Sequence, residues 1–256
     1  IPITLINSIW LRFCRRKKFK FSSITKKILL KVGVFPLIDH YYDPIFDSRH
    51  LKKSLRENRF LPAIDFNEIE QIDLLNKFSF NDELLLFPRE KTENELEFSY
   101  DSGAYPSGDS ECLYSMIRLH KPEKIIEIGC GHSTLMALNG IKMNKNDNHN
   151  YSCEYTCIEP YQKSWLEKTG FKVVRSKVED VSLDKFKSLK HNDILFIDSS
   201  HTIRPQGDVL YEILEILPIL NSGVLVHFHD IYTPKDYDDI YYNNSTYPFW
   251  NEQYLL

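Results

Sequence analysis

Ile125-Ile-Glu127-Ile-Gly129-Cys-Gly131-His-Ser133-Thr134 is the stretch on which the fold turns. A short apolar run ends in two glycines one residue apart, in a chain that has 9 glycines among 256 residues. A strand running into a glycine turn, with a helix starting at Ser133, is the entry to a βαβ unit. Small residues let the backbone approach a ligand closely. The helix N-terminus offers free N–H groups and the positive end of a dipole. Dinucleotide sites carry G-x-G-x-x-G here; Thr134 stands at the third glycine position, which weakens that reading. Glu127, two residues before Gly129, suits a ligand with a positive amino group.

Working outward, the same rhythm recurs. Apolar runs at Thr156–Ile158, Lys172–Arg175, Asp193–Ile197 and Gly223–Phe228 read as strands. Ser133–Met143, Trp165–Thr169, Ser182–Leu189 and Val209–Leu220 read as intervening helices, and Ser110–His120 as a helix before the first strand. Near-continuous apolar strands alternating with helices predict an α/β fold: a Rossmann-like, doubly wound, mostly parallel sheet with helices on both faces. Residues 141–152 read as a polar surface insertion. Upstream, residues 1–60 read as short helices broken near Pro36 and Pro44, an N-terminal helical extension. Phe66–Phe78 has helical apolar spacing with Asn67 as its expected N-cap. The expected boundary lies between a 1–100 extension, or substrate-side cap, and a 101–256 sheet domain. The run ending at Leu256 reads as helix-like and trimmed.

Ligands of open α/β sheets bind beyond the carboxyl ends of the strands. Polar residues cluster there in the sequence. Glu159 ends the second strand, where a carboxylate can accept both ribose hydroxyl protons, and it lies 32 residues after Glu127 against the usual ~20. Val178 and Glu179 follow the third strand, placed to border a base. Asp198 and His201 follow the fourth strand; His229 and Asp230 follow the fifth. These four are expected to converge as base, metal ligands or both, with His227 pointing away from His229.

Charge is uneven. The chain has 32 Lys/Arg and 36 Asp/Glu, but residues 1–60 hold 14 basic and 4 acidic residues, and residues 61–256 hold 18 and 32. A basic arm on an acidic body permits peripheral contact with an anionic membrane, or is simply a solvated helical face. The acidic body argues against nucleic acid as a partner. The basic run Arg15–Lys20 follows the apolar residues 1–13, the reverse of a signal peptide. Five cysteines in no paired framework point to a reducing, cytoplasmic setting. Cys153 and Cys157 with His149 are an isolated and weak zinc-like grouping.

Taken in order, the E-x-G-x-G of Glu127 to Gly131, Glu159, Asp198 and His229-Asp230 resemble the class I S-adenosylmethionine-dependent methyltransferases. More narrowly, the chain resembles the group of macrocin O-methyltransferase-like enzymes, linked to glycan tailoring. His40-Tyr41-Tyr42-x-Pro44, Leu61-Pro62-Ala-Ile-Asp65, Ser107-Gly-Asp109-Ser-Glu111 and Trp250-Asn-Glu-Gln-Tyr-Leu-Leu256 extend the likeness over residues 35–256. The resemblance implies a cofactor held by Glu127, Gly129, Cys130, Gly131, Ser133 and Thr134 at its methionine part. It places Glu159 at the ribose, Val178 and Glu179 at the adenine, and Asp198 beside the cofactor. Tyr105, Ser107 and their neighbours to Asp109 are expected to close over it. It further implies a proton-accepting His229 or His201 oriented by Asp198, and a Mg2+ bound by Asp198 and Asp230. His229 stands where a further oxygen ligand is expected. The implied acceptor is a sugar hydroxyl or another small polyhydroxylated molecule, its pocket roofed by the N-terminal helices and the aromatic run Tyr237–Trp250. A cofactor-binding scaffold without chemistry and an NAD-dependent oxidoreductase are the competing readings.

Overall fold

The computed structural model describes residues 1–20, 22–38, 43–44, 50–238, 241 and 249–256. His40, Tyr41 and Tyr42 and most of the Tyr237–Trp250 run lie outside them. Two compact units are present. One comprises Ile1–Asn58 with Lys235–Phe249, the other Arg59–Pro234 with Trp250–Leu256.

The first unit carries α1 (Pro2–Arg16) and α2 (Ser23–Val32). Gly33, in the left-handed conformation at φ 82°, ends α2.

The second unit opens with α3 (Glu68–Leu75) and α4 (Asn81–Leu84). Asn67 does not cap α3 with its side chain. It sits in the left-handed region, and its N–H donates to Asp65 Oδ1 at 2.9 Å, so Asp65 closes the turn in its place. After α5 (Asp109–His120) come β1 (Lys124–Ile128), α6 (His132–Asp147), β2 (Glu154–Ile158), β3 (Lys172–Val174), α7 (Leu183–Lys187), β4 (Ile194–Ile197), α8 (Asp208–Tyr211) and β5 (Leu225–Phe228). All neighbouring strands are parallel, in the order β3-β2-β1-β4-β5. The chain winds outward from β1 in both directions, which places the switch point between β1 and β4.

Alternation along the strands splits the core into two layers. Ile125, Tyr155, Cys157, Ile194 and Phe196 pack with Leu113, Tyr114 and Ile117 of α5 and Leu135 and Met136 of α6. Ile126, Ile128, Ile158, Leu195 and Ile197 pack on the other face with Phe186 of α7, Val178 and Ile216. Full burial of a Phe such as Phe186 or Phe196 contributes roughly 1.5–3 kcal/mol. Residues 59–100 belong to this same unit, since Leu84 and Phe98 join the α5–α6 layer.

Two elements differ from their sequence reading. The polar stretch from residue 141 is largely helix, because α6 runs on to Asp147; Asn144 is buried and ties α6 to α5 through Ile117 O at 2.9 Å and Arg118 at 2.6 Å. The helix expected over Val209–Leu220 widens after α8 into a π-type turn over Glu212–Ile216, then tightens over Leu217–Ile219, where Pro218 lacks a backbone donor.

Candidate active site

The register of the strands builds the site. Ile128 is opposite both Ile158 and Ile197, and Ile197 is opposite Phe228. The next residues of β2, β1, β4 and β5 therefore form one row along the carboxyl edge: Glu159, Gly129, Asp198 and His229. The ladder continues into this row, with Gly129 N donating to Ile158 O at 3.0 Å, Asp198 N to Ile128 O at 2.9 Å and His229 N to Ile197 O at 2.9 Å.

Gly129 is where the turn needs glycine. Its φ is +75°, and a Cβ there would lie 1.8 Å from the carbonyl oxygen of Asp198. Beneath the turn sits Glu127, with no exposed surface. It accepts hydrogen bonds from Ser133 Oγ at 2.6 Å, Thr134 Oγ1 at 2.5 Å and Tyr155 Oη at 2.9 Å. Burial pushes its carboxyl up to about 7, against the lowering effect of those bonds. Glu127, Ser133 and Thr134 thus tie the turn to the first residues of α6. They support the crevice floor and are not among its lining.

That crevice, of about 320 Å³, is lined by Ile128, Gly129, Ile158, Glu159, Val178, Glu179 and Asp198, among others. Its size falls in the range of small-molecule sites, ~300–1,000 Å³. Apolar walls at Ile128, Ile158 and Val178 suit a flat ring. Glu159 is buried, and its Oε1 accepts the Tyr161 N–H at 2.9 Å. Its Oε2 accepts the Cys130 N–H at 3.3 Å and meets Lys163 Nζ at 2.9 Å. Lys163 also donates to the Cys130 carbonyl. The turn and Glu159 are therefore one bonded assembly, with Cys130 contributing backbone and Gly131 leading into α6. The sequence reading missed Lys163; its spacing of four residues from Glu159 was the available signal.

At the other end of the row, Asp198 joins the crevice to a buried polar cluster. His201 Nε2 lies 3.2 Å from Asp198 Oδ1, and its Nδ1 lies 2.7 Å from Glu252 Oε2. His229 Nδ1 lies 3.5 Å from Asp198 and 3.3 Å from Asp230, and its Nε2 lies 3.6 Å from Asp109. Among the described residues, no oxygen meets the buried His229 Nδ1 in hydrogen-bond geometry. His201 and Asp230 both hold φ 55°, a left-handed backbone that is uncommon outside glycine and that clusters at functional sites. Burial disfavours charge on the imidazoles, but the carboxylates prevail. Asp198 and Glu252 raise His201 to about 9, and Asp109, Asp198 and Asp230 raise His229 to about 12. Burial likewise opposes ionisation of Asp198, yet the two histidines hold it well below the usual carboxylate range.

Behind His201 the widened turn after α8 brings in Glu212, which accepts from Ser199 Oγ at 2.9 Å. Burial, with the Glu252 charge beside it, pushes Glu212 up to about 8. Glu252 and Glu212 were not expected as site residues. His227 does not point away: its ring lies 6.1 Å from that of His229 and stacks on Phe196 at 4.5 Å, because residues two apart on a strand share a face. Tyr105 is buried against Phe196 and His229, at 6.2 and 5.2 Å between rings, so it backs the histidine. Ser107 bonds Glu111 at 2.5 Å and lines a second cavity of about 650 Å³ with Arg89 and Tyr100, sharing none of the crevice lining. Among the described residues, the cysteine-containing group with converging ligand atoms is Glu127, Cys130 and Cys157; Cys153 and His149 are not part of it.

Comparison with known proteins fits this geometry. Residues 126–231 match a family model described as a methyltransferase domain. An uncharacterized protein of Archaeoglobus fulgidus is 28% identical over 183 residues, covering 65% of this chain and 80% of that protein. The matched stretch spans the strand-edge row from Gly129 to His229, so it is this part of the chain that is similar to methyltransferase domains, a class whose usual methyl donor is S-adenosylmethionine.

Proposed function

We propose that the protein transfers the methyl group of S-adenosylmethionine to a hydroxyl of a sugar or another small polyhydroxylated acceptor, in keeping with its resemblance to the macrocin O-methyltransferase-like enzymes. The observation that carries the proposal is the unbroken row Glu159–Gly129–Asp198–His229, which sets a nucleoside-sized crevice directly beside a cluster of imidazoles and carboxylates. Glu159 holds the ribose, Val178 and Glu179 border the adenine, and the backbone around Gly129 passes the methionine part. Methyl transfer is an in-line displacement, so alignment of nucleophile, methyl carbon and sulfur is the main catalytic task. An acceptor hydroxyl also has to lose its proton; the surrounding carboxylates keep His201 and His229 protonated at neutral pH, so His229 or His201 takes that proton only after giving up its own, and turnover is expected to rise with pH. Asp198 orients both imidazoles. Trp250, whose ring lies 4.4 Å from that of His201, gives a flat apolar face of the kind that suits sugar C–H surfaces.

A divalent cation fits the same cluster. One ligand atom each of Asp198, His201 and Asp230 lies within 4.8 Å of the others. The imidazole makes this set less suited to Mg2+ than an all-oxygen one. Asp198 and Asp230 would hold the ion, which when bound supplies a Lewis acid that lowers the pKa of an acceptor hydroxyl.

Calorimetry with S-adenosylhomocysteine, followed by a methyl-release assay over a panel of sugar acceptors, tests the proposal. Glu159→Gln is expected to weaken cofactor binding by ~10-fold or more, the loss of a charge-assisted hydrogen bond. His229→Ala is expected to leave that affinity within about twofold and to slow turnover by ~100-fold or more. Cofactor binding without transfer to any acceptor leaves a scaffold protein instead, and tight NAD binding in its place leaves an oxidoreductase.

A further inference from the structure

None of the residues assigned above to cofactor or catalysis lies in the first 38, which hold nine Lys/Arg and no Asp or Glu. Helix α1 is turned inside out relative to a helix that packs on a core. Its inward side is Cys14, which is buried, with half-buried Leu11 and Arg15; Arg15 pairs with Asp43 and stacks over Phe35 at 5.2 Å. Its large apolar residues face out: Ile3, Leu5, Ile6, Ile9, Trp10 and Phe13 are between 48% and 74% exposed. Ile6, Ile9, Trp10 and Phe13 fall at i, i+3, i+4 and i+7, one continuous stripe. Arg12 and Arg16 flank that stripe, and Lys17, Lys18 and Lys20 follow it directly. Helix α2 repeats the arrangement, with exposed Ile24, Ile28 and Val32 in line and Lys27 and Lys31 beside them.

From this placement we infer that α1 and α2 dock the protein on the surface of a lipid bilayer carrying anionic headgroups. The apolar stripe lies at the boundary of headgroups and acyl chains, and the flanking cations meet the lipid phosphates. Among the described residues no helix is long and apolar enough to cross a membrane, and the contact inferred here is of helices lying along its surface. Charge decides against other occupants. A second copy would bring two strongly basic, acid-free faces together, and a nucleic acid would satisfy the cations while leaving the apolar stripe in water.

Flotation of the full chain with vesicles is the test. Binding is expected to vesicles containing about 30% phosphatidylglycerol, at least ~10-fold stronger than to pure phosphatidylcholine, and to fall off by about 0.5 M salt. Ile6→Glu with Ile9→Glu, and separately Arg12→Glu with Arg16→Glu, should each remove the binding while leaving the circular dichroism spectrum unchanged. These side chains are exposed, so their replacement disturbs no core. Three results would overturn the inference: failure to float with phosphatidylglycerol vesicles at low salt, binding that survives both double substitutions, or sedimentation showing that the apolar substitutions dissociate an oligomer in a chain that ignores vesicles.

Discussion

Glu127 is a carboxyl group with no access to water, held by three hydroxyls rather than by a cation. Because its folded pKa is raised to about 7 from the ordinary 4.5, the folded protein holds this proton more tightly than the unfolded chain does. The resulting stabilisation is complete below the unfolded value and is lost as the pH rises through about 7. The melting temperature of the protein, compared with that of Glu127→Gln, should therefore decline between about pH 5 and about pH 8; parallel profiles would show that Glu127 does not titrate in this window. Two residues on, Gly129 faces a different constraint. Glu127 can lose its charge, but no L side chain fits at Gly129 without moving the Asp198 carbonyl. Gly129→Ala is expected to cost at least ~1–2 kcal/mol from the left-handed backbone alone, with a further loss from the collision. Its melting temperature should drop by several degrees and its affinity for S-adenosylhomocysteine should fall by ~10-fold or more, whereas an unaffected isotherm would mean that the turn does not border the cofactor.

At the scale of elements, the short turn Glu252–Tyr254 acts on the sheet edge from the far end of the sequence. Asn251 N and Glu252 N both donate to the His201 carbonyl, at 2.9 and 3.2 Å, and the Glu252 carboxylate meets the imidazole of the same residue. A carboxylate on Nδ1 keeps the proton there and aims Nε2 at Asp198. Replacing Glu252 by Gln should lower the pKa of His201 from about 9, seen in the titration of its ring nitrogens by histidine-selective NMR, with cofactor affinity unchanged. An unshifted titration would remove Glu252 from the site. This residue also marks the limit of what the sequence makes legible. The strands were readable because Ile194–Ile197 is apolar throughout and Ile125–Ile128 is apolar but for Glu127, a local property of the chain. Glu159, Asp198, His201, His229 and Asp230 were readable because they follow β2, β4 and β5 within four residues. Glu252 and Glu212 follow no strand. One reaches His201 through a turn near the chain's end, the other through a widened helical turn that no spacing announces, and their partners are set by tertiary contact alone. The direction of His227 was legible in principle from the two-residue period of a strand.

Across the whole molecule, the two units differ in what they are made to meet. One is basic, and its α1 and α2 show apolar residues to solvent. The other buries its apolar strands between two helical layers and sets the polar groups of the candidate site along the carboxyl edge of its sheet. Among the described residues, those lining the crevice lie between Ile128 and Asp208. The cluster beside it adds Asp109, His229, Asp230 and Glu252, all from the unit that holds the sheet. Among the described residues, neither core layer draws on the first 58. The proposed cofactor recognition and the inferred surface docking are therefore separable. A chain lacking residues 1–34 should bind S-adenosylhomocysteine with an affinity within about twofold of the full chain, as expected for sites that share no partners. The same chain should no longer float with anionic vesicles. Calorimetry and flotation on one preparation check both halves of this expectation. A loss of cofactor affinity beyond ~10-fold would mean that the N-terminal helices complete the crevice, and retained flotation would mean that lipid is met by another face.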